Sequence, residues 1–188
     1  MNLDVSHETL KRYAELVIKW NRSVNLISTA SENVIWDRHI ADSIQLENFV
    51  LDKYIRVFDF GSGAGFPGIP LAILGVKNIN LVEIDVRKCA FLRKVQSVLG
   101  LDLEIHNKPI EEIYVQRADC IISRAMFSVS RFCGYLSKFE AECFLLKGQR
   151  YQQELDEASK TWVYDYKIYP SITNDHSVII KLFNVQKI

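Results

Sequence analysis

Short apolar runs alternating with helix-patterned segments predict an α/β fold. The expected sheet is mostly parallel and seven-stranded, with an antiparallel hairpin at its C-terminal end and two extra helices at the N-terminus. Three observations carry this reading. Strand-like runs such as Ile55–Phe60 and Ile79–Glu83 are separated by segments whose apolar residues recur every three or four positions. A glycine-rich run, Gly61–Gly68, leaves the first strand. Two further strand-like runs, near 162–169 and 177–183, follow each other closely enough to pair antiparallel.

Taken in order, Leu10, Tyr13, Ala14, Val17 and Trp20 give a first amphipathic helix over about 6–21, with Ser6 as its N-cap. Val34, Ile35, Ile40, Ile44 and Leu46 give a second, from about Ser31 to Phe49. Ile55–Phe60 is a buried strand, and Ile69–Leu74 a short helix that tolerates Pro70 in its first turn. Ile79–Glu83 is the next strand. Val86–Leu99 is a helix that Gly100 stops. Strands at Leu101–Ile105, Asp119–Ser123 and Glu142–Leu146 follow, with a helix over Val129–Ser137 between the last two.

The 188 residues suit one domain, with 1–50 as a helical extension and 51–188 as the core. At 48% hydrophobic the chain is not disordered, and no apolar run is long enough for a membrane span. No secretory signal follows Met1, and Cys89, Cys120, Cys133 and Cys143 show no C-x-x-C spacing. They read as reduced thiols of a cytoplasmic protein. His7, His106 and His176 have no metal-ligand spacing, so no metal is expected. Net charge is zero, but residues 87–150 carry 11 basic and 7 acidic side chains, which permits a nucleic-acid surface.

Chemistry is expected at the carboxyl ends of the strands, where the glycine-rich run sits. Small residues there let a ligand approach the backbone and the N–H groups of the next helix. Gly63-Ala64-Gly65-Phe66-Pro67-Gly68 fits the dinucleotide pattern G-x-G-x-x-G. Asp59-Phe60-Gly61-Ser62-Gly63-Ala64-Gly65 fits D-x-G-x-G-x-G, the first motif of class I S-adenosylmethionine-dependent methyltransferases, a Rossmann-like group. Either ligand wants a carboxylate for its ribose hydroxyls at the end of the second strand, and Glu83 stands 22 residues after Gly61. Pro67 and Pro70 remove donors that a pyrophosphate would use, and Asp59 suits a cationic ligand better than an anionic one. Asp59 would orient the turn or sit near the methionine ammonium. The methyl donor is therefore favoured over NAD; an oxidoreductase and a non-catalytic RNA-binding protein remain as alternatives.

Beyond that motif the sequence resembles the GidB/RsmG-type bacterial methyltransferases of small-subunit ribosomal RNA over nearly its whole length. The resemblance is carried by Lys19–Leu26, Arg38-His39-Ile40-Ala41-Asp42-Ser43, Gly61–Leu71, Ile122-Ser123-Arg124-Ala125 and Leu146-Lys147-Gly148. It implies methylation of guanine N7 in 16S ribosomal RNA, with S-adenosylmethionine as cofactor and the RNA or small subunit as partner. Carried over by motif, the cofactor residues are Gly61, Phe66, Ile110, Glu111 and Arg124; Asp59, Gly63, Gly65 and Glu83 join them from the reading of the turn and second strand above. Pro109 stands where the family often has a basic residue, and Phe60 is bulkier than usual before the first glycine.

Arg124 and Lys147 end consecutive strands and are expected to point into one crevice as the catalytic cations. Arg38, His39 and Asp42 lie within about one helical turn, and Arg38 and Asp42 can share a face; the three read either as an RNA or cofactor lid contact or as an Arg–Asp pair that caps the added helices onto the core. Phe127 is read as either a base-stacking or a core aromatic. Arg87, Lys88, Arg93 and Lys94 are available for phosphate contacts. Nothing in the sequence requires more than a monomer.

Overall fold

The computed structural model describes residues 3–113, 118–124, 127–138 and 141–188. Ala125, the end of one family motif, lies outside the described residues. The strands are β1 (Val57–Phe60), β2 (Ile79–Val82), β3 (Leu103–His106), β4 (Cys120–Arg124), β5 (Glu142–Lys147), β6 (Trp162–Pro170) and β7 (Val178–Lys187). They form one sheet in the order β3-β2-β1-β4-β5-β7-β6. The first five are parallel, and β7 runs antiparallel to both β5 and β6. The expected mixed, seven-stranded architecture is what the chain adopts.

Both sheet faces are covered. Val57, Leu81, Ile122, Phe144 and Leu146 pack with apolar residues of α1 (Leu3–Val24), α5 (Gly68–Ile73) and α6 (Val86–Leu99). Phe58, Phe60, Ile121 and Leu145 pack with α7 (Val129–Leu136) and α8 (Tyr151–Ala158) on the other face. Strands buried on two faces lose the polar alternation of a half-exposed strand, hence the continuous apolar runs in the sequence. Helix ends follow local chemistry. Asp85 Oδ1 accepts from the N–H of Arg87 and Lys88, capping α6, and Gly100 closes it at φ 64°. The Leu101 N–H is spent on the Gln96 carbonyl, so β3 begins two residues later than expected.

The expected second helix is not continuous. It breaks into α2 (Thr29–Glu32), a π-helical segment Trp36–Ala41, α3 (Asp42–Ile44) and α4 (Glu47–Val50). Side chains compete with the backbone ladder there: Ser43 Oγ donates to the His39 carbonyl at 2.6 Å, and Gln45 Nε2 to the Asp42 carbonyl at 2.9 Å. The Lys19–Leu26 motif also has a structural use. Asn21 Oδ1 accepts from the N–H of Leu26 and Ile27, and its Nδ2 donates to Glu32, folding the chain back after α1. The sequence reading assigned no element to α8; only Leu155 and Ala158 on it are buried.

Candidate active site

The glycine-rich turn leaves β1 and is held from three sides. Gly61, Gly63 and Gly65 all have positive φ, at 72°, 57° and 98°. The Gly61 and Ser62 N–H groups donate to the Val82 carbonyl of β2. From beneath, the fully buried Asp59 accepts the Gly68 N–H on Oδ2 at 3.0 Å. From α1, the buried Tyr13 hydroxyl donates to the Ala64 carbonyl at 2.7 Å. The sequence pattern marked Tyr13 only as core. A tyrosine on an apolar stripe needs a partner for its hydroxyl, and that was the available signal.

Glu83 is buried at the end of β2, and its carboxylate braces the turn. Oε2 accepts from the Gly63 N–H and Oε1 from the Asp85 N–H, each at 2.9 Å. Each oxygen keeps a second lone pair for a ligand hydroxyl. A small cavity of about 120 Å³ opens beside it, lined by Gly61, Glu83, Ile84, Pro109, Ile110 and Glu111 among others. Four residues expected to hold the cofactor, Gly61, Glu83, Ile110 and Glu111, thus border one space. Ile84, 64% exposed directly after the acid, also lines it and was not among them; its only sequence signal is its place after Glu83.

The second group of site residues lies toward β4. Arg124 Nη1 donates to His39 Nδ1 at 2.5 Å and to the Arg38 carbonyl at 3.3 Å. Its guanidinium sits 5.0 Å from the Phe66 ring centroid, and the His39 ring stacks on the same phenyl at 5.1 Å. The π-helical segment and the turn therefore meet at Arg124. Burial, aided by Arg124 and Arg38, pushes His39 down to about 3, so its ring is neutral. Burial pushes Asp59 up to about 7. Among the described residues, three buried side-chain atoms have no hydrogen-bond partner: His39 Nε2, Asp59 Oδ1 and Arg124 Nε. All belong to this cluster.

Arg124 and Lys147 both border a larger cavity of about 470 Å³, with Asp37, Arg38, Asp42, Thr173 and Asn174. Their charged heads do not share it as expected. Arg124 is level with Leu146 in the β4–β5 register, so Lys147, one residue on, points to the opposite sheet face. There its ammonium pairs with Glu154 at 2.7 Å and donates to the Phe127 carbonyl. Arg38 and Asp42 form no ion pair among the described residues. Asp42 Oδ1 instead accepts from Gln45 Nε2 at 2.8 Å and Thr173 Oγ1 at 3.0 Å. The Phe127 ring is covered by the Arg131 guanidinium, 3.8 Å from its centroid.

The profile of the GidB family, described as rRNA small subunit methyltransferase G, matches residues 6–181. The chain belongs to the GidB family. It is 39% identical over 185 residues to the Ribosomal RNA small subunit methyltransferase G of Rickettsia felis (strain ATCC VR-1525 / URRWXCal2), covering 96% of this chain and 95% of that protein. The protein of the same name from Orientia tsutsugamushi (strain Ikeda) is 40% identical over 187 residues, covering 97% and 94%. Among solved structures, the magnesium protoporphyrin IX methyltransferase from Synechocystis PCC 6803 with bound SAM shares the fold. The TM-score is 0.60 at 12% identity, over 90% of this chain and 96% of that one. GidB proteins use S-adenosylmethionine, and the residues present fit it. A Cβ at Gly63 would meet only the Gly61 carbonyl, at 3.8 Å, so the backbone there is open to a ligand. The small cavity joins apolar walls to a carboxylate, which suits an adenosine.

The two shifted groups oppose each other in their effect on stability. Asp59 holds a proton in the native state that the unfolded chain, with an ordinary carboxyl near about 3.9, releases. Its contribution is full at low pH and is lost as pH rises from about 4 through 7. His39 stays neutral in the native state while the unfolded chain binds a proton below about 6.5. Its contribution is full above that value and is lost as pH falls from 6.5 to 3. The wild-type melting temperature is therefore expected to change little between about pH 4 and 6.5 on account of this pair. Asp59→Asn removes one slope, and that variant should gain stability with pH across the same window. A calorimetric pH series checks this; parallel wild-type and variant profiles would contradict it.

Proposed function

We infer that the protein transfers the methyl group of S-adenosylmethionine to N7 of a guanine in 16S ribosomal RNA, acting in the cytoplasm as a monomer. The observation that carries this is the convergence of the glycine turn, Glu83 and the Arg124 cluster at the carboxyl ends of β1, β2 and β4, in a chain of the GidB family. Gly61, Gly63, Gly65, Phe66, Glu83, Ile110, Glu111 and Arg124 would hold the cofactor. Asp59 supports the turn from below. When bound, S-adenosylmethionine supplies a methyl carbon on a sulfonium that a lone pair can attack.

The chain's own residues have the task of placement. Guanine N7 carries a free lone pair on the major-groove edge and needs no deprotonation. No side chain has to act as an obligatory base, and alignment of the reactants can contribute roughly 7–11 kcal/mol. The 470 Å³ cavity beside Arg124 has the place and the polar lining for the purine. Arg124 would serve both sites as the catalytic cation. Lys147 acts at one remove, fixing the Phe127 carbonyl and α8 behind the site. Arg87, Lys88, Arg93 and Lys94 on α6 would add phosphate contacts that weaken with salt.

Two measurements test this. Calorimetry should show micromolar binding of S-adenosylhomocysteine and none of NADH. The small-subunit RNA of cells lacking the protein should be missing one N7-methylguanosine. An unchanged methylation map would overturn the assignment.

A further inference from the structure

We propose that His39 is a positioning residue for the cofactor's methionine end, orienting Arg124 through Nδ1 and offering its Nε2–H, with the Arg124 Nε–H, to the methionine carboxylate. This rests on the reading of the site as a cofactor site.

The tautomer follows from the partner. An arginine N–H can only donate, so His39 Nδ1, 2.5 Å from Arg124 Nη1, must accept, and the ring proton is on Nε2. The ring is neutral above about pH 3, because burial holds its pKa there. Nε2–H is then a buried donor without an acceptor, and the Arg124 Nε–H is a second in the same cluster. Buried polar groups are normally paired, so two such donors on one pair of bonded side chains imply an acceptor supplied from outside. A cation and a neutral donor together favour an anionic one.

The cofactor has a single anionic group, the methionine carboxylate. Its adenosine end is accounted for on the β2–β3 side of the turn by Glu83, Ile84 and Ile110. The β1–β4 side, where His39 stacks on Phe66, is what remains for the amino-acid end. Asp59 Oδ1, the third unpartnered atom, belongs to the same cluster; burial pushes this carboxyl up to about 7, so it complements the methionine ammonium once ionised above that pH. All three atoms are covered in this conformation, so cofactor arrival has to displace a covering side chain. The π-helical segment has a purpose in this scheme. It brings both the His39 ring and the Arg38 carbonyl to the one guanidinium.

The test compares two ligands on the full chain by calorimetry. S-adenosylhomocysteine carries the amino-acid end; 5′-methylthioadenosine has the same adenosine and sulfur without it. His39→Phe keeps a ring on Phe66 but removes both nitrogens. It should weaken S-adenosylhomocysteine at least tenfold and leave 5′-methylthioadenosine within twofold. His39→Gln, whose amide nitrogen can reach the Nε2 position, should recover part of the loss. His39→Asn, which lacks that reach, carries the same comparison if the phenylalanine variant does not fold. Equal weakening of both ligands would mean a merely structural role and overturn the proposal, as would unchanged S-adenosylhomocysteine affinity. A wild-type chain that binds neither ligand would overturn the cofactor-site reading, and this inference with it.

Discussion

Replacing Gly68 with alanine should lower the melting temperature by roughly 6–12 °C and abolish cofactor binding. Gly68 opens α5, and a Cβ there would lie 2.4 Å from Leu81 Cδ2, 2.8 Å from Asp59 Oδ2 and 3.2 Å from Asp59 Cβ. Both neighbours are fully buried, Leu81 in the middle of β2 and Asp59 in β1, so neither can retreat without moving a strand. Overpacking of this kind costs about 1–3 kcal/mol. It also pushes away the carboxylate that accepts the Gly68 N–H, leaving a buried donor unpaired. Gly65→Ala should be similar. Its Cβ would meet Ile69 Cδ1 at 2.4 Å and the Tyr13 hydroxyl at 3.1 Å, from a backbone at φ +98°. Gly148→Ala is the control for stability: nothing lies within 4 Å of its Cβ, and it should melt like the wild type. Thermal scans with and without S-adenosylhomocysteine read both effects.

The second large effect is expected at Arg124. Arg124→Ala should reduce kcat/KM for methyl transfer by roughly 10²–10³, the usual cost of losing one preorganised charged donor in a reaction centre. Arg124→Lys should not restore it. The guanidinium bonds both His39 and the Arg38 carbonyl through Nη1 while its flat delocalised group lies over Phe66. An ammonium is a point charge and cannot meet all three at once. Asp42 and Asp59 would also lose their nearby cation, and both already have pKa values raised by burial. Single-turnover assays with assembled small subunits measure the effect. A lysine variant with wild-type turnover would refute the geometric argument.

The central strands β1, β2, β4 and β5 were legible because they are covered on both faces and so appear as short, largely apolar runs. The turn was legible because glycine adopts positive φ at little cost while proline fixes φ, so a run rich in both marks an unusual backbone path. Three things were not legible, each for a physical reason. The π-helical segment arises from Ser43 and Gln45 bonding back to the backbone and from tertiary contacts to Arg124, none of which alters the three-and-four pattern. The sequence put His39 in a candidate contact with Arg38 and Asp42, but its partner, Arg124, stands 85 residues later and no local pattern joins the two. Arg124 and Lys147 were each correctly put at a strand end, but a register offset of one residue sends their heads to opposite faces. Composition could mark the ends, whereas the offset depends on pairing.

The contacts from Gln45 to Ser171 and Ile172, and from Asp42 to Thr173, join positions 126 to 131 residues apart. During synthesis the glycine turn emerges well before the loop that walls the larger cavity. A nascent chain halted before residue 171 would contain every residue that lines the adenosine-side crevice while lacking Thr173 and Asn174 of the larger cavity. Closure of this long loop is among the slower folding events, so competence to bind the nucleotide should mature after competence to bind the cofactor.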